Sequence, residues 1–260
     1  MRAGMPNSGC RVFLCFSSRS QGEWRTKEHE AGYCATYDIC GHRRDGDVLT
    51  CADNRQAVTI DEDVRPKFER VCPQLALETG TDGSICCSEA QLDQIEKQIQ
   101  IASIFLVGCP ACNHNFKHFF CLLVCSPNQA TFTNVTRVET AKDTNVSTVV
   151  AEMDVYVSES LGNQFYNSCS DVVYAPLNQR AMNFVGGGAT NYQQWLDFLG
   201  LIKDKRTPPT GSPFQINFRS ATDAPSEMVP MNGEMHSCGS APLACSCGDC
   251  PSAPQCKSVS

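Results

Sequence analysis

No stretch of this chain reaches the roughly 18 consecutive apolar residues that a membrane-spanning helix needs. The best candidate, Ile99–Val107, is too short and stops at Gly-Cys-Pro. Tryptophan occurs only at Trp24 and Trp195, and charged residues make up just 19% of the chain. With a net charge of -7 there is no basic field to draw it to nucleic acid or to an acidic membrane. G-x-S-x-G, the P-loop and G-x-G-x-x-G are all absent. His114-Asn115-Phe116-Lys117-His118 lacks the glutamate of a zinc-protease helix. Gly186-Gly187-Gly188 is not followed by Lys-Ser/Thr and reads as a hinge. No internal repeat and no carboxylate pair stands out. These absences argue against an enzyme and call for no cofactor.

What the chain does have is cysteine, 18 in 260 residues. Two sequons, Asn134-Val-Thr136 and Asn145-Val-Ser147, accompany them. Together they point to the secretory pathway, with disulfides formed and Asn134 and Asn145 as glycosylation sites. Residues 1–31 read as a leader or a poorly ordered segment. Its apolar run Val12–Phe16 falls below the ~7–15 residues of a signal core. Cys10 and Cys15 therefore stay outside the framework.

Residues 34–87 read as loop-rich. Ser88 and Gln91 then form a capping box ahead of Leu92, Ile95, Ile99, Ala102 and Leu106 at helical spacing. Gln91, Gln94 and Gln98 make a second stripe beside the apolar one, a pattern that also fits a solvated helix edge. Residues 131–148 read as an exposed loop, and Met153, Val155 and Val157 as a strand. Ser158 caps a helix holding Leu161, Phe165 and Cys169. Tyr192 to Ile202 reads as an amphipathic helix and "FQINF" as a half-buried strand. The tail from Cys238 to Cys256 has no periodicity, so only its cysteines can order it.

"CPACNHNFKHFFCLLVCSP" carries cysteines as C-x2-C-x8-C-x3-C. Zinc is one reading, because His114, His118, Cys121 and Cys125 share a helical face. The abundance of other cysteines and the sequons argue against it, so no metal is expected. Redox exchange at "CPAC" needs a strand before the motif, and a helix is expected there. Stapling is the better reading. Cys121 and Cys125, one turn apart, stand ~5–6 Å from each other at Cβ, too far for a mutual bridge of ~3.5–4.5 Å. Adjacent Cys86 and Cys87 should likewise reach separate partners. The result is a braced helical shell that holds either a plain core or an apolar ligand.

"CATYDICG", "ICCSEAQLDQI", "VGCPACNHNFKHFFCLLVCSPNQATFTNVT", "YNSCSDV" and "PLACSCGDC" together resemble the N-terminal luminal domain of the Niemann-Pick C type 1 family. The resemblance covers about residues 32–256 and leaves 257–260 as a tail. It implies an α+β, helix-rich, disulfide-braced single domain with a small mixed β-sheet and an apolar ligand pocket. It implies binding of a cholesterol-like sterol with the 3β-hydroxyl buried, and exchange with a soluble Niemann-Pick C type 2-like carrier. The setting it implies is a lysosomal, vacuolar or endosomal lumen. The membrane part of a full-length transporter lies outside this chain.

Carried over by position, the family pattern pairs Cys34–Cys86, Cys40–Cys51, Cys72–Cys121, Cys87–Cys125, Cys109–Cys245, Cys112–Cys169, Cys238–Cys250 and Cys247–Cys256. One family bridge has no counterpart near Gly186–Thr190, which implies a looser loop there. Gln91 falls on the hydroxyl-binding glutamine, with Gln94 and Gln98 near it. Thr50 stands where animal members have asparagine, Ile39 replaces a glutamate and Thr36 a tryptophan. Ile95, Asn115, Phe120, Pro213, Phe214 and Ile216 fall on pocket-wall positions. Phe184 and Val185 fall on the apolar pair at the entrance, beside a glycine run expected to act as a mobile lip. The rival reading is a cysteine-rich extracellular module for a protein or polar vitamin, Frizzled-like or folate-receptor-like.

Overall fold

The computed structural model describes residues 29–42, 47–81, 83–143, 148–202 and 211–257. Most of the leader, Cys10, Cys15 and Asn145 lie outside them. The fold is α+β, helix-rich and braced by disulfides around a small mixed sheet.

The first elements among the described residues are an antiparallel pair, β1 (Thr36–His42) and β2 (Val48–Ala52). A short ribbon of β3 (Val58–Thr59) and β4 (Ser84–Ile85) encloses α1 (Arg65–Val71) and α2 (Pro73–Thr79). Both helices have proline in the first turn, where its missing N–H is no loss. The loop-rich reading of 34–87 misses these elements, because a helix of 7 residues is too short for a periodic pattern to register.

Two long helices follow, α3 (Glu89–Leu106) and α4 (Pro110–Cys125). The Ser88 side chain accepts from the Gln91 N–H, and the Gln91 side chain accepts from the Ser88 N–H, so the capping box is complete. The single turn α5 (Gln129–Phe132) leads into β5 (Thr133–Thr140) and β6 (Thr148–Val157). Half of the segment read as an exposed loop, Thr133–Thr140 and Thr148, is thus strand. Its threonines and valines suit a pleated surface, and Thr133 and Val135 are buried. Asn134 stands half-buried within this edge strand, opposite Asp154.

β6 is the central strand. β5 runs antiparallel along one side, while β2 and the parallel β9 (Gln215–Ser220) share the other. Between β6 and β9 come α6 (Glu159–Cys169), the pair β7 (Val173–Tyr174) and β8 (Gln179–Arg180), the turn α7 (Met182–Val185), and α8 (Tyr192–Gly200). Ile202 lies beyond the end of α8. Phe119 stacks on Phe165 at 4.6 Å and Phe165 on Trp195 at 4.1 Å. This column fixes α4, α6 and α8 to one another.

The disulfides join Cys34–Cys86, Cys40–Cys51, Cys72–Cys121, Cys87–Cys125, Cys109–Cys245, Cys112–Cys169, Cys238–Cys250 and Cys247–Cys256. These are the pairs that the resemblance implies. Cys86 and Cys87 go to separate partners, as do Cys121 and Cys125. The cysteines of the zinc and redox readings are all consumed in these bridges. Among the described residues, no helix is long and apolar enough to cross a membrane.

Candidate functional site

A cavity of about 320 Å³ runs between α3, α4, β6 and β9. Helix α3 forms its long wall. Gln91, Gln94, Ile95, Gln98, Ile99, Ala102 and Phe105 all face it. From Gln91 to Phe105 that wall extends about 21 Å at 1.5 Å per residue. The opposite side is hydrocarbon and aromatic, with Phe116, Phe120, Met153, Phe214, Ile216 and Phe218. No charged side chain and no histidine lines the cavity among the described residues.

The polar end sits over the N-terminus of α3. Asp38 has a positive φ of 65°, an uncommon conformation outside glycine, and β1 is irregular there. The Gln91 Oε1 accepts the Asp38 N–H at 2.7 Å and the Ser88 N–H at 3.0 Å. Its Nε2 donates to Thr50 Oγ1 at 3.1 Å, and Thr50 Oγ1 donates to the Asp38 carbonyl at 2.9 Å. Gln91 is therefore no solvated helix edge; it is only 6% exposed. By valence, one Gln91 N–H and one Thr50 lone pair are left over.

Gln129 performs a similar service beside them. Its Oε1 accepts from the Ala35 and Thr36 N–H groups, and its Nε2 donates to the carbonyls of Leu123 and Val124. It lines the cavity with Thr36 and Ile39. The sequence gives no sign of this role, since glutamine in a four-residue helix has no pattern to belong to.

The far end is apolar. Phe184 stacks on Phe105 at 5.0 Å and meets Tyr174 edge-on at 5.5 Å. Ile101 lines the cavity while 57% exposed, which marks the opening on this half of α3. Ile104 on the same helix, and Leu201, two residues after the lining Leu199, are exposed as well. Phe105 carried no sequence signal, because its ring closes the pocket only through contact with Phe184.

Of the wall positions carried over by resemblance, Gln91, Thr50, Gln94, Gln98, Ile95 and Phe120 line the cavity. So do Phe184, Val185, Pro213, Phe214 and Ile216. Asn115 does not. Its Nδ2 donates to the His236 carbonyl at 2.8 Å and its Oδ1 accepts the His236 N–H at 2.9 Å. One residue before Phe116, it is turned about 100° away from the cavity and clamps the C-terminal segment instead.

The glycine loop also departs from expectation. The Gly188 N–H donates to the Met182 carbonyl, Trp195 Nε1 to the Val185 carbonyl at 2.9 Å, and Tyr166 Oη to the Ala189 carbonyl. Gly187 and Gly188 have φ of 60° and 78°, and a β-carbon on Gly187 would meet the Phe198 ring at 2.5 Å. The glycines thus permit a closed turn against α8. The loop is hydrogen-bonded where a loose lip was expected, and Val185, 7% exposed, belongs to the core.

The family model described as Niemann-Pick C1 N terminus matches residues 31–260. The chain belongs to this family. It is 34% identical over 95% of its length to the human NPC1-like intracellular cholesterol transporter 1, and 32% identical over 93% to the mouse protein of that name. It is 30% identical over 84% to the pig NPC intracellular cholesterol transporter 1. It spans only 17–19% of the length of these relatives.

Proposed function

We propose that this chain is a sterol-binding domain acting in intracellular sterol transport. It takes one cholesterol-like sterol, with the 3β-hydroxyl against Gln91 and Thr50 and the tail toward Phe105 and Phe184. The observation that carries this reading is the shape and chemistry of the cavity. It is long, uncharged and apolar, and the buried polar groups that hold its backbone together cluster at one end. The spare Gln91 N–H and the spare Thr50 lone pair offer one donor and one acceptor, the complement of a single hydroxyl. A polar vitamin would want a charged anchor, and the lining has none.

The names of the relatives, cholesterol transporters, support the same ligand class. The apolar rim at Ile101 and Phe184 suits end-on hand-off to a soluble Niemann-Pick C type 2-like carrier. The disulfides suit an oxidising, lysosomal or endosomal lumen, with the membrane portion supplied by a longer protein.

The test is a titration with radiolabelled cholesterol, competed by its 3α-epimer and by plant and fungal sterols. Saturable binding, with the epimer clearly weaker, is the expected result. Absence of saturable binding, or equal competition by the epimer, rejects the reading.

A further inference from the structure

Gln94 and Gln98 face the same cavity as Gln91, but their side chains make no hydrogen bond among the described residues. The contrast with their neighbours on α3 is clear. On the side toward α1, Asp93 is paired with Lys67 and Glu96 with Arg70. Gln91 is committed to Asp38, Ser88 and Thr50. Across the cavity stand Phe120, Met153, Ile216 and Phe218, whose side chains offer the Gln94 amide nothing better than a weak thioether acceptor.

This arrangement matters once the cavity is filled. A sterol whose rings are pure hydrocarbon would strip water from the Gln94 amide and offer nothing in return, which is unfavourable. An oxygen on the ring system would restore the lost bond. Helix α3 measures where that oxygen should be. Gln94 lies about 4.5 Å along the axis from Gln91, and Gln98 about 10 Å. With the 3-hydroxyl at Gln91, the first distance leads past the first ring to the second.

Resting on the sterol reading above, we infer that this cavity selects a sterol carrying a second oxygen, hydroxyl or ketone, on its ring system, and that Gln94 is the residue that reads it. Ring-oxygenated sterols are then preferred to cholesterol, and the preference belongs to one amide.

The experiment competes labelled cholesterol with 7-ketocholesterol, 7β-hydroxycholesterol and 25-hydroxycholesterol, whose extra oxygen lies on the tail. It uses the wild-type chain, Gln94→Leu and Gln94→Asn, each checked for fold by circular dichroism. In the wild type, at least one of the 7-oxygenated sterols should bind roughly tenfold tighter than cholesterol, the effect of one hydrogen bond. The tail-oxygenated sterol should gain nothing comparable. Gln94→Leu should reverse the order, tightening cholesterol and weakening the 7-oxygenated ligand. Gln94→Asn should restore part of the preference. Leucine is a good helix former, so the substitution should not disturb α3.

Cholesterol binding at least as tight as both 7-oxygenated sterols, or a ranking unchanged by Gln94→Leu, overturns the inference while leaving the sterol reading intact. If no sterol binds the wild-type chain, the sterol reading itself falls and the inference with it.

Discussion

Replacing Gln91 by alanine removes two effects at once, and a second variable on the ligand separates them. The first effect is structural. The Asp38 and Ser88 N–H groups lose their acceptor, and Thr50 loses its donor. A buried unsatisfied group costs about 1–3 kcal/mol and a helix cap about 1 kcal/mol. The fold should weaken by roughly 2–4 kcal/mol, which for a domain of this size lowers the melting temperature on the order of 10 °C. The second effect is on the ligand hydroxyl, which loses its donor. To isolate it, the dissociation constants of cholesterol and of its 3-deoxy analogue are measured on both proteins, well below both melting points. In the wild type the deoxy analogue leaves the Gln91 amide unpaired and should bind about 5- to 100-fold more weakly. In Gln91→Ala that ratio should shrink, because the structural loss is common to both ligands and cancels while only the hydroxyl bond to Thr50 remains. A ratio unchanged by the substitution would show that the hydroxyl is not at Gln91, whatever happens to stability.

The entrance pair should divide: Val185→Ala should cost about 2–3 kcal/mol through lost burial and a cavity. Phe184→Ala should change stability less and slow sterol transfer between proteins more, and the reverse pattern in melting and transfer assays would reject the division. Burial, and then His236, push His118 down from 6.5 to about 4. Glu78, 3.5 Å away, pulls the other way, but the His118 side chain is only 1% exposed, so desolvation prevails. His118 is thus held neutral, and its contribution, up to about 3 kcal/mol, is present above pH 6.5 and lost as pH falls toward 4. His114, also pushed down from 6.5 to about 4 by burial and then by His236, titrates over the same window, so His118→Leu should reduce the slope of the melting profile there without abolishing it, and an unchanged profile would refute the assignment. Peptide mapping without reductant should recover Cys86 joined to Cys34 and Cys87 joined to Cys125; a Cys86–Cys87 or Cys121–Cys125 bridge would contradict the fold.

How much of this was legible in the sequence depends on the range of the interaction. The start of α3 was readable because the capping box is contained within Ser88 to Gln91. That Gln91 also holds β1 was not, since Asp38 lies 53 residues away and contributes only a backbone N–H. Phe120 and Asn115 were both assigned to the wall by resemblance. Only Phe120 faces it, because the partner of Asn115 is a backbone 121 residues on, in a tail without periodicity. The edge strand β5 was hidden by its sequon and threonines, which suit loops by polarity but strands by branching at Cβ. The bridge partners could not come from spacing at all; geometry excluded two pairings, and the family pattern supplied the rest.

The bridges also bear on how the cavity keeps its shape. Its roughly 320 Å³ separates α3 from β6 and β9, and the apolar side chains that line it forgo packing contacts on that side. A chain held by packing alone would therefore favour letting α3 sink toward β6. Here the start of the wall and the helix behind it are tied. Cys87–Cys125 joins the start of α3 to the end of α4, and Cys72–Cys121 joins the α1–α2 junction to α4. Closing loops of 38 and 49 residues, each contributes about 4 kcal/mol taken alone by chain entropy. Gln91 and Gln129 add their brackets at the polar end. The covalent frame thus offsets the missing contacts, and it does so in the unfolded state, without filling the space. A ligand then adds its own stabilisation on top, about 2.7 kcal/mol at one hundred times its dissociation constant. On this account, the cysteines hold the walls of the cavity apart, and on the sterol reading proposed above the glutamines select what enters it.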